Sequence, residues 1–206
     1  MKALDSLHDH LVLHRRAHRL AEILSDVVPL NSTVLDVGSG DGEVASLLVA
    51  RRPDLIVRGV DLEVRPKTRI PVTKFDGQNL PYPDASFDTV LFVDVLHHTT
   101  DPRILLREAV RVASKSVVLK DHILQGWCAG TRLRFMDYVG NARHGVALPF
   151  NYWTSEQWQD AEQQLGLQKT AEHRSLHLYP WPAEYIFGAG LHFIARYDVP
   201  QLPSNS

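Results

Sequence analysis

Cysteine is almost missing from this chain. Cys128 stands alone among 206 residues, which excludes an internal disulfide and any metal or arsenic site assembled from several thiolates. Long apolar runs are missing too. No stretch approaches the roughly 20 residues that a membrane-crossing helix needs, so no membrane insertion is expected. Neither sign of charge dominates: 22 basic residues face 24 acidic ones, for a net charge of −2. Such a balance gives no general attraction to nucleic acid. The amino terminus carries too many charges for a secretory signal, and a cytoplasmic protein is expected. Internal repeats and low-complexity tracts are absent. What remains is a chain 44% hydrophobic, enough for one domain over residues 1–206 with a real core.

That domain is organised around Val34–Val44. Thr33 to Val37 is an apolar run suited to a buried strand. Gly38, Gly40 and Gly42 follow at alternate positions, and an amphipathic helix starts near Glu43 with Val44, Leu47 and Leu48 on one face. Strand, glycine turn and helix make the first crossover of a doubly wound α/β sheet, which binds ligands at the carboxyl ends of its strands. A dinucleotide is disfavoured. The third position of the G-x-G-x-x-G/A fingerprint falls on Glu43, whose carboxylate would repel a pyrophosphate.

The turn reads Val34-Leu35-Asp36-x-Gly38-x-Gly40-x-Gly42, which resembles motif I of the class I S-adenosylmethionine-dependent methyltransferases. Three more features follow in that family's order. The second strand, Leu55–Leu62, ends near Asp61, about 20 residues after the turn, where a carboxylate accepts hydrogen bonds from the ribose hydroxyls of an adenosine. After a short third strand, Ile70–Phe75, and Asp76-Gly77, the loop Leu80-Pro81 to Ser86-Phe87-Asp88 resembles a second family signature. The fourth strand, Thr89–Val93, runs into Asp94-Val95-Leu96-His97-His98, similar to the Val-Leu-His-His of many members.

The resemblance spans residues 33 to 122. It implies a Rossmann-like, doubly wound seven-stranded sheet, mostly parallel with strand seven antiparallel and helices on both faces. The implied cofactor is S-adenosylmethionine, leaving as S-adenosylhomocysteine. Its contacts would be Asp36 near the methionine amino group, Gly38, Ser39 and Gly40 along the turn, Asp61 on the ribose and Leu62 against the adenine. Asp76, Gly77 and Gln78 would lie at the edge of that ring, with Val93 and His98 nearby. A helix over residues 3–28 would cover the cofactor, bringing Arg15 or Arg16 to its carboxylate. On the same helix His10, His14 and His18 recur at i, i+4 and i+8, a spacing that lets adjacent members share a metal. No nearby acid in the sequence completes a set.

The acceptor side is less defined. Asp101-Pro102 caps a helix carrying Leu105, Ala109 and Val112. Strand five is expected at Ser116–Leu119, preceded by Ala113-Ser114-Lys115 where many family members have a Gly-Gly turn. It ends in Lys120, Asp121 and His122, of which Asp121 is placed to orient His122 or to take a proton itself. His97 and His98 are further base candidates. Residues 123–153 form an insertion, read as an acceptor lid. Arg132, Arg134, Arg143 and His144 would meet an anionic group there, and Phe135, Tyr138, Tyr152 and Trp153 would stack on a ring. Thr154 to Gln157 has capping-box spacing. Leu167–Tyr179 and Gly188–Tyr197 are expected as strands six and seven, and 199–206 as a loose tail. The expected reaction is direct displacement onto the oxygen, nitrogen or carbon of a small organic acceptor, with His122 and His144 as base candidates. The absence of an Asn/Asp-Pro-Pro-aromatic motif at Asp94–His97 disfavours adenine- or amide-nitrogen methylation. The alternative is a non-catalytic protein that binds the cofactor or a partner on the same fold.

Overall fold

The computed structural model describes residues 2–141, 150–188 and 190–200. Helix α1 (Lys2–Val27) leads to β1 (Thr33–Val37), α2 (Glu43–Arg51), β2 (Ile56–Asp61), β3 (Val72–Lys74) and β4 (Phe87–Val93). A 3₁₀ turn (Leu96–His98), α3 (Pro102–Val112), β5 (Ala113–His122), α4 (Ala129–Asn141), α5 (Ser155–Gln164), β6 (Gln168–His173), a π-helical turn (Glu184–Gly188) and β7 (His192–Asp198) follow. The seven strands form one sheet in the order β3-β2-β1-β4-β5-β7-β6. The first five pair in parallel, and β7 runs antiparallel to both β5 and β6.

Period-two alternation sends each strand's side chains to two cores. On one face α1 and α2 bury Leu20, Leu24 and Leu48 against Val34, Leu91 and Val118. On the other, α3 and α5 bury Leu105, Ala109 and Trp158 against Leu35, Phe92 and Leu119. Side-chain caps start the helices on the second face. The Asp101 carboxylate accepts from Arg103 N at 3.0 Å, and Thr154 with Gln157 forms a complete capping box. The carboxyl end of α1 is closed by Arg52, whose Nη1 donates to the carbonyls of Ser25 (2.7 Å) and Val28 (3.1 Å), and whose Nη2 donates to that of Pro29 (3.2 Å). Asp54 holds the same guanidinium from its other edge, at 2.8 and 2.7 Å. One arginine thus satisfies carbonyls that a helix end leaves without partners.

The second, third and fourth strands differ from their expected bounds by one or two residues at their ends, and the last three strands change more. Strand β5 begins at Ala113, because α3 passes straight into it where a turn was expected, and it continues to His122. The extension comes from pairing: Lys120, Asp121 and His122 lie opposite Ile194, Phe193 and His192 of β7. Strand β6 stops at His173, opposite Ile194, and residues 174–179 have no partner strand among the described residues. Strand seven starts at His192, since 184–188 form the π-helical turn. Arg143 and His144 lie outside the described residues, as do 201–206 of the expected tail.

Candidate active site

The carboxyl ends of β1, β2, β4 and β5 share one edge of the sheet. Gly38 leaves β1 with φ 72°, a left-handed conformation in which a side chain is strained, and an added Cβ would lie 2.6 Å from Val95 Cγ2. The amides of Gly38 and Ser39 donate to Val60 O at 2.8 and 3.2 Å. The Gly40 amide donates to Asp61 Oδ2 at 2.8 Å, so the glycine turn itself fixes that carboxylate. Leu62, next to it, is 57% exposed and lies against Gly77. Asp76 accepts from the Asn79 side chain (2.8 Å) and from the amides of Asn79 (2.6 Å) and Gln78 (2.8 Å), which holds its pKa down at about 2. Gln78 itself is exposed.

Asp36 sits one layer deeper, buried in β1 opposite Gly59. Burial pushes its pKa up to about 7, and the neighbouring Asp61 carboxylate adds to the shift. Val93 is half-buried at the end of β4, and His98 half-buried in the 3₁₀ turn. Of the two arginine candidates, Arg15 is exposed and Arg16 turns inward to pair with Asp94. The structure brings Glu43 to α1, where it contacts His14 Nδ1 at 3.0 Å. The other nitrogen of His14 faces His18 at 3.0 Å, so His14, His18 and Glu43 do not converge on one point.

The second half of the site is a buried polar cluster. Asp94, with φ 58°, receives both Arg16 and Lys120. Burial raises the Asp94 carboxyl, but those two cations overcome it and hold the group well below its usual range. Lys120 is fully buried and lies 3.2 Å from His192 Nδ1; burial lowers its pKa. Asp121 accepts from Leu96 N (3.0 Å) and His122 N (2.7 Å), and its Oδ1 lies 2.6 Å from His97 Nδ1. Its distance to His122 Nδ1 is 3.5 Å. Asp121 therefore orients His97 more directly than His122. Burial, together with the His97 charge, pulls His122 down to about 4. Burial also opposes His97 protonation, yet Asp121 reverses this and raises the His97 pKa. Beyond His97, Tyr152 donates its hydroxyl to Asp137 of α4.

Several expected lid residues have other roles. Arg132 Nε donates to Ile186 O at 2.6 Å, and Arg134 lies over the Phe150 ring. Tyr152 and Trp153 are buried, Trp153 against Trp158, while Phe135 and Tyr138 remain exposed. Sequence reasoning missed Gly59, Asp137 and His192. Gly59 had a signal: glycine inside a strand often marks a close approach, and a Cβ there would collide with Ser39 Oγ. Asp137 lies within α4 and His192 at the start of β7, with no local pattern to distinguish them.

Residues 35–119 match the model of a family described as methyltransferase domain. Over these residues, less than half of its length, the chain is similar to methyltransferase domains. The 27-O-demethylrifamycin SV methyltransferase of Amycolatopsis mediterranei is 32% identical over 115 residues, 48% of this chain and 42% of that protein. The demethylmenaquinone methyltransferase of Thermotoga maritima is 35% identical over 105 residues, 47% of this chain and 44% of that one. The chain spans less than half the length of these two relatives. In fold it is similar to a SAM-dependent methyltransferase from Aquifex aeolicus, with a TM-score of 0.60 and 16% identity over 88% of this chain and 89% of that one.

The methyltransferase cofactor, S-adenosylmethionine, fits the residues present. Among the described residues four buried side-chain N or O atoms lack a hydrogen-bond partner, and three of them lie around this edge: Ser39 Oγ, His98 Nδ1 and Arg16 Nε. Unmatched buried polar atoms are rare in folded proteins and call for a partner. The carboxylates of Asp61 and Asp36, an exposed Leu62 and these three atoms supply acceptors, an apolar ledge and polar contacts suited to a ribose, an adenine and an amino acid end. Among the described residues no helix is long and apolar enough to cross a membrane.

Proposed function

We propose that this protein transfers the methyl group of S-adenosylmethionine to a small organic acceptor by in-line displacement. One observation carries the proposal: the Gly40 amide holds Asp61 at 2.8 Å beside Asp36, Leu62 and Gly77, an arrangement that suits an adenosine with an amino acid tail. In this reading Asp36 faces the amino group, Asp61 the ribose, Asp76, Gly77 and Gln78 the adenine edge, and Ser39, Val93, His98 and an α1 arginine the methionine end. When bound, the sulfonium supplies an activated methyl and a good leaving group. The chain's own part is to align the acceptor and exclude water, and alignment alone accounts for several kcal/mol of barrier lowering.

Where the acceptor is a phenol, an alcohol or an amine, a base is needed. His122 is our choice in the described residues, because its low pKa keeps it neutral and able to accept a proton. His144 is the second candidate. The acceptor is small and is bound without nucleic acid, in keeping with the net charge of −2, and a cytoplasmic setting agrees with a single exposed thiol.

One observation favours the alternative, a binder without turnover: Lys120, Asp121 and His122 are all buried, with no more than 4% exposed. Titration with S-adenosylhomocysteine, followed by an assay of its release from S-adenosylmethionine with phenolic, amine and acid acceptors, separates the two. Binding with release supports the transferase. Binding without release from any acceptor supports the binder, and no binding defeats both.

A further inference from the structure

We propose that His97, His122 and Asp137 form a site for one divalent transition-metal ion of the zinc or iron(II) class. The inference is tested without methyl transfer, and a metal ion on His122 leaves the base role of the proposed function to His144. The three residues come from three different elements, the 3₁₀ turn, β5 and α4, and all are buried. One ligand atom of each lies within 4.8 Å of the others, and His97 Nε2 is 3.8 Å from Asp137 Oδ2. Two donors each about 2.1 Å from a shared ion stand at most about 4.2 Å apart, so small side-chain rotations complete the site.

Two imidazoles and one carboxylate, with a coordination position left open, match the ligand sets of catalytic zinc and non-haem iron(II). Magnesium and calcium prefer all-oxygen sets. The surroundings fit as well. The carboxylate of Asp121, 2.6 Å from His97 Nδ1, fixes the tautomer that leaves Nε2 free to bind, which is the usual outer partner of a metal-bound histidine. Tyr152 steadies Asp137 in the same way.

A second cluster of the right composition, Asp94 with His122 and His192, is already filled by a cation. The Lys120 ammonium contacts Asp94 and lies 3.2 Å from His192 Nδ1. The first cluster has no lysine or arginine on its ligand atoms, and Lys120, whose charge reaches His122, is held by Asp94.

The test uses the full chain, stripped with a chelator and titrated with Co²⁺ and then Zn²⁺, followed by visible absorption and calorimetry. One equivalent of Co²⁺ should bind, give d–d bands and be displaced by Zn²⁺. Asp121→Asn should weaken binding by about 10–100-fold, and Asp137→Asn by at least as much. Asp160→Asn, an exposed partner of Arg103 away from the cluster, should leave it unchanged. Lack of saturable uptake by the folded wild type overturns the proposal, as does uptake indifferent to Asp137→Asn. Should Asp137→Asn unfold, X-ray absorption of the zinc-loaded wild type decides. It should show two imidazole nitrogens and oxygen at about 2.0–2.2 Å; a shell containing sulfur or oxygen alone overturns the site.

Discussion

The two halves of the candidate site, one proposed for the cofactor and one for the acceptor, are built by different means. On the cofactor side, from Gly38 to Gly77, position is set mainly by backbone: amides of Gly38 and Ser39 on Val60, the Gly40 amide on Asp61, the Gln78 and Asn79 amides on Asp76. On the acceptor side, from Asp94 to His192, position is set by side chains that hold one another: Arg16 and Lys120 on Asp94, Asp121 on His97, Tyr152 on Asp137. The first half presents open acids and an exposed leucine. The second encloses its charges. A backbone-built site tolerates loss of one contact with little harm to the fold, whereas a buried charge cluster ties stability to each member.

Lys120→Met breaks this comparison at its sharpest point. It removes a fully buried cation from Asp94 and leaves Arg16 as the carboxylate's remaining partner. Loss of one member of a buried pair costs about 3–5 kcal/mol, and denaturant unfolding should show a loss near the low end because Arg16 stays. A change under about 1 kcal/mol would mean that the cluster is not electrostatically closed. On the cofactor side, Asp61→Ala should leave stability nearly intact and weaken S-adenosylhomocysteine by about 1–3 kcal/mol, through lost charge-assisted hydrogen bonds. Calorimetry checks it, and an unchanged affinity removes Asp61 from the site.

A smaller effect comes from Asp36. With a free-state pKa of about 7, it is largely protonated at pH 6 and ionised at pH 8. A cationic amino group favours the ionised form, so cofactor binding should strengthen as pH rises through 7, by about tenfold between pH 6 and 8, with proton release. Asp36→Asn should abolish that step. The sign for the free fold is opposite: because the carboxyl is raised above its unfolded value near 4, its ionisation removes stability as pH rises from about 4 to 7. The smallest difference expected is on α1. Arg15→Ala should stay within about 0.5 kcal/mol in stability, whereas Arg16→Ala should exceed it by removing a half-buried side chain and one of the two cations on Asp94. Thermal unfolding of the pair measures the contrast.

The contrast also explains what could be read from the sequence. Glycines at 38, 40 and 42, the acid at 61 and the Leu80-Pro81 loop are local patterns, because the backbone that uses them is contiguous. The seven-stranded sheet and its antiparallel β7 followed from the same resemblance. The acceptor cluster was legible only in part: Lys120, Asp121 and His122 share one strand end, whereas Asp137 and His192 are remote in sequence and meet them only after folding. The choice of Arg16 over Arg15 depends on helix phase to within a single residue. The length of β5 depended on a partner strand some 70 residues away, as the Lys120–Ile194 pairing shows.

Arg52 has a kinetic consequence. Its guanidinium joins the last carbonyls of α1 to the end of α2, with Asp54 behind it. Neither helix can open there without uncovering three carbonyls at once, so the two ends belong to one cooperative opening unit. Amide hydrogens in the final turns of α1 and α2 should therefore exchange with solvent at matched rates. This joint lies before β1 and β2 begin, at the edge of the sheet opposite the glycine turn, and that edge opens as a whole, by a larger and rarer fluctuation than the fraying of a free helix.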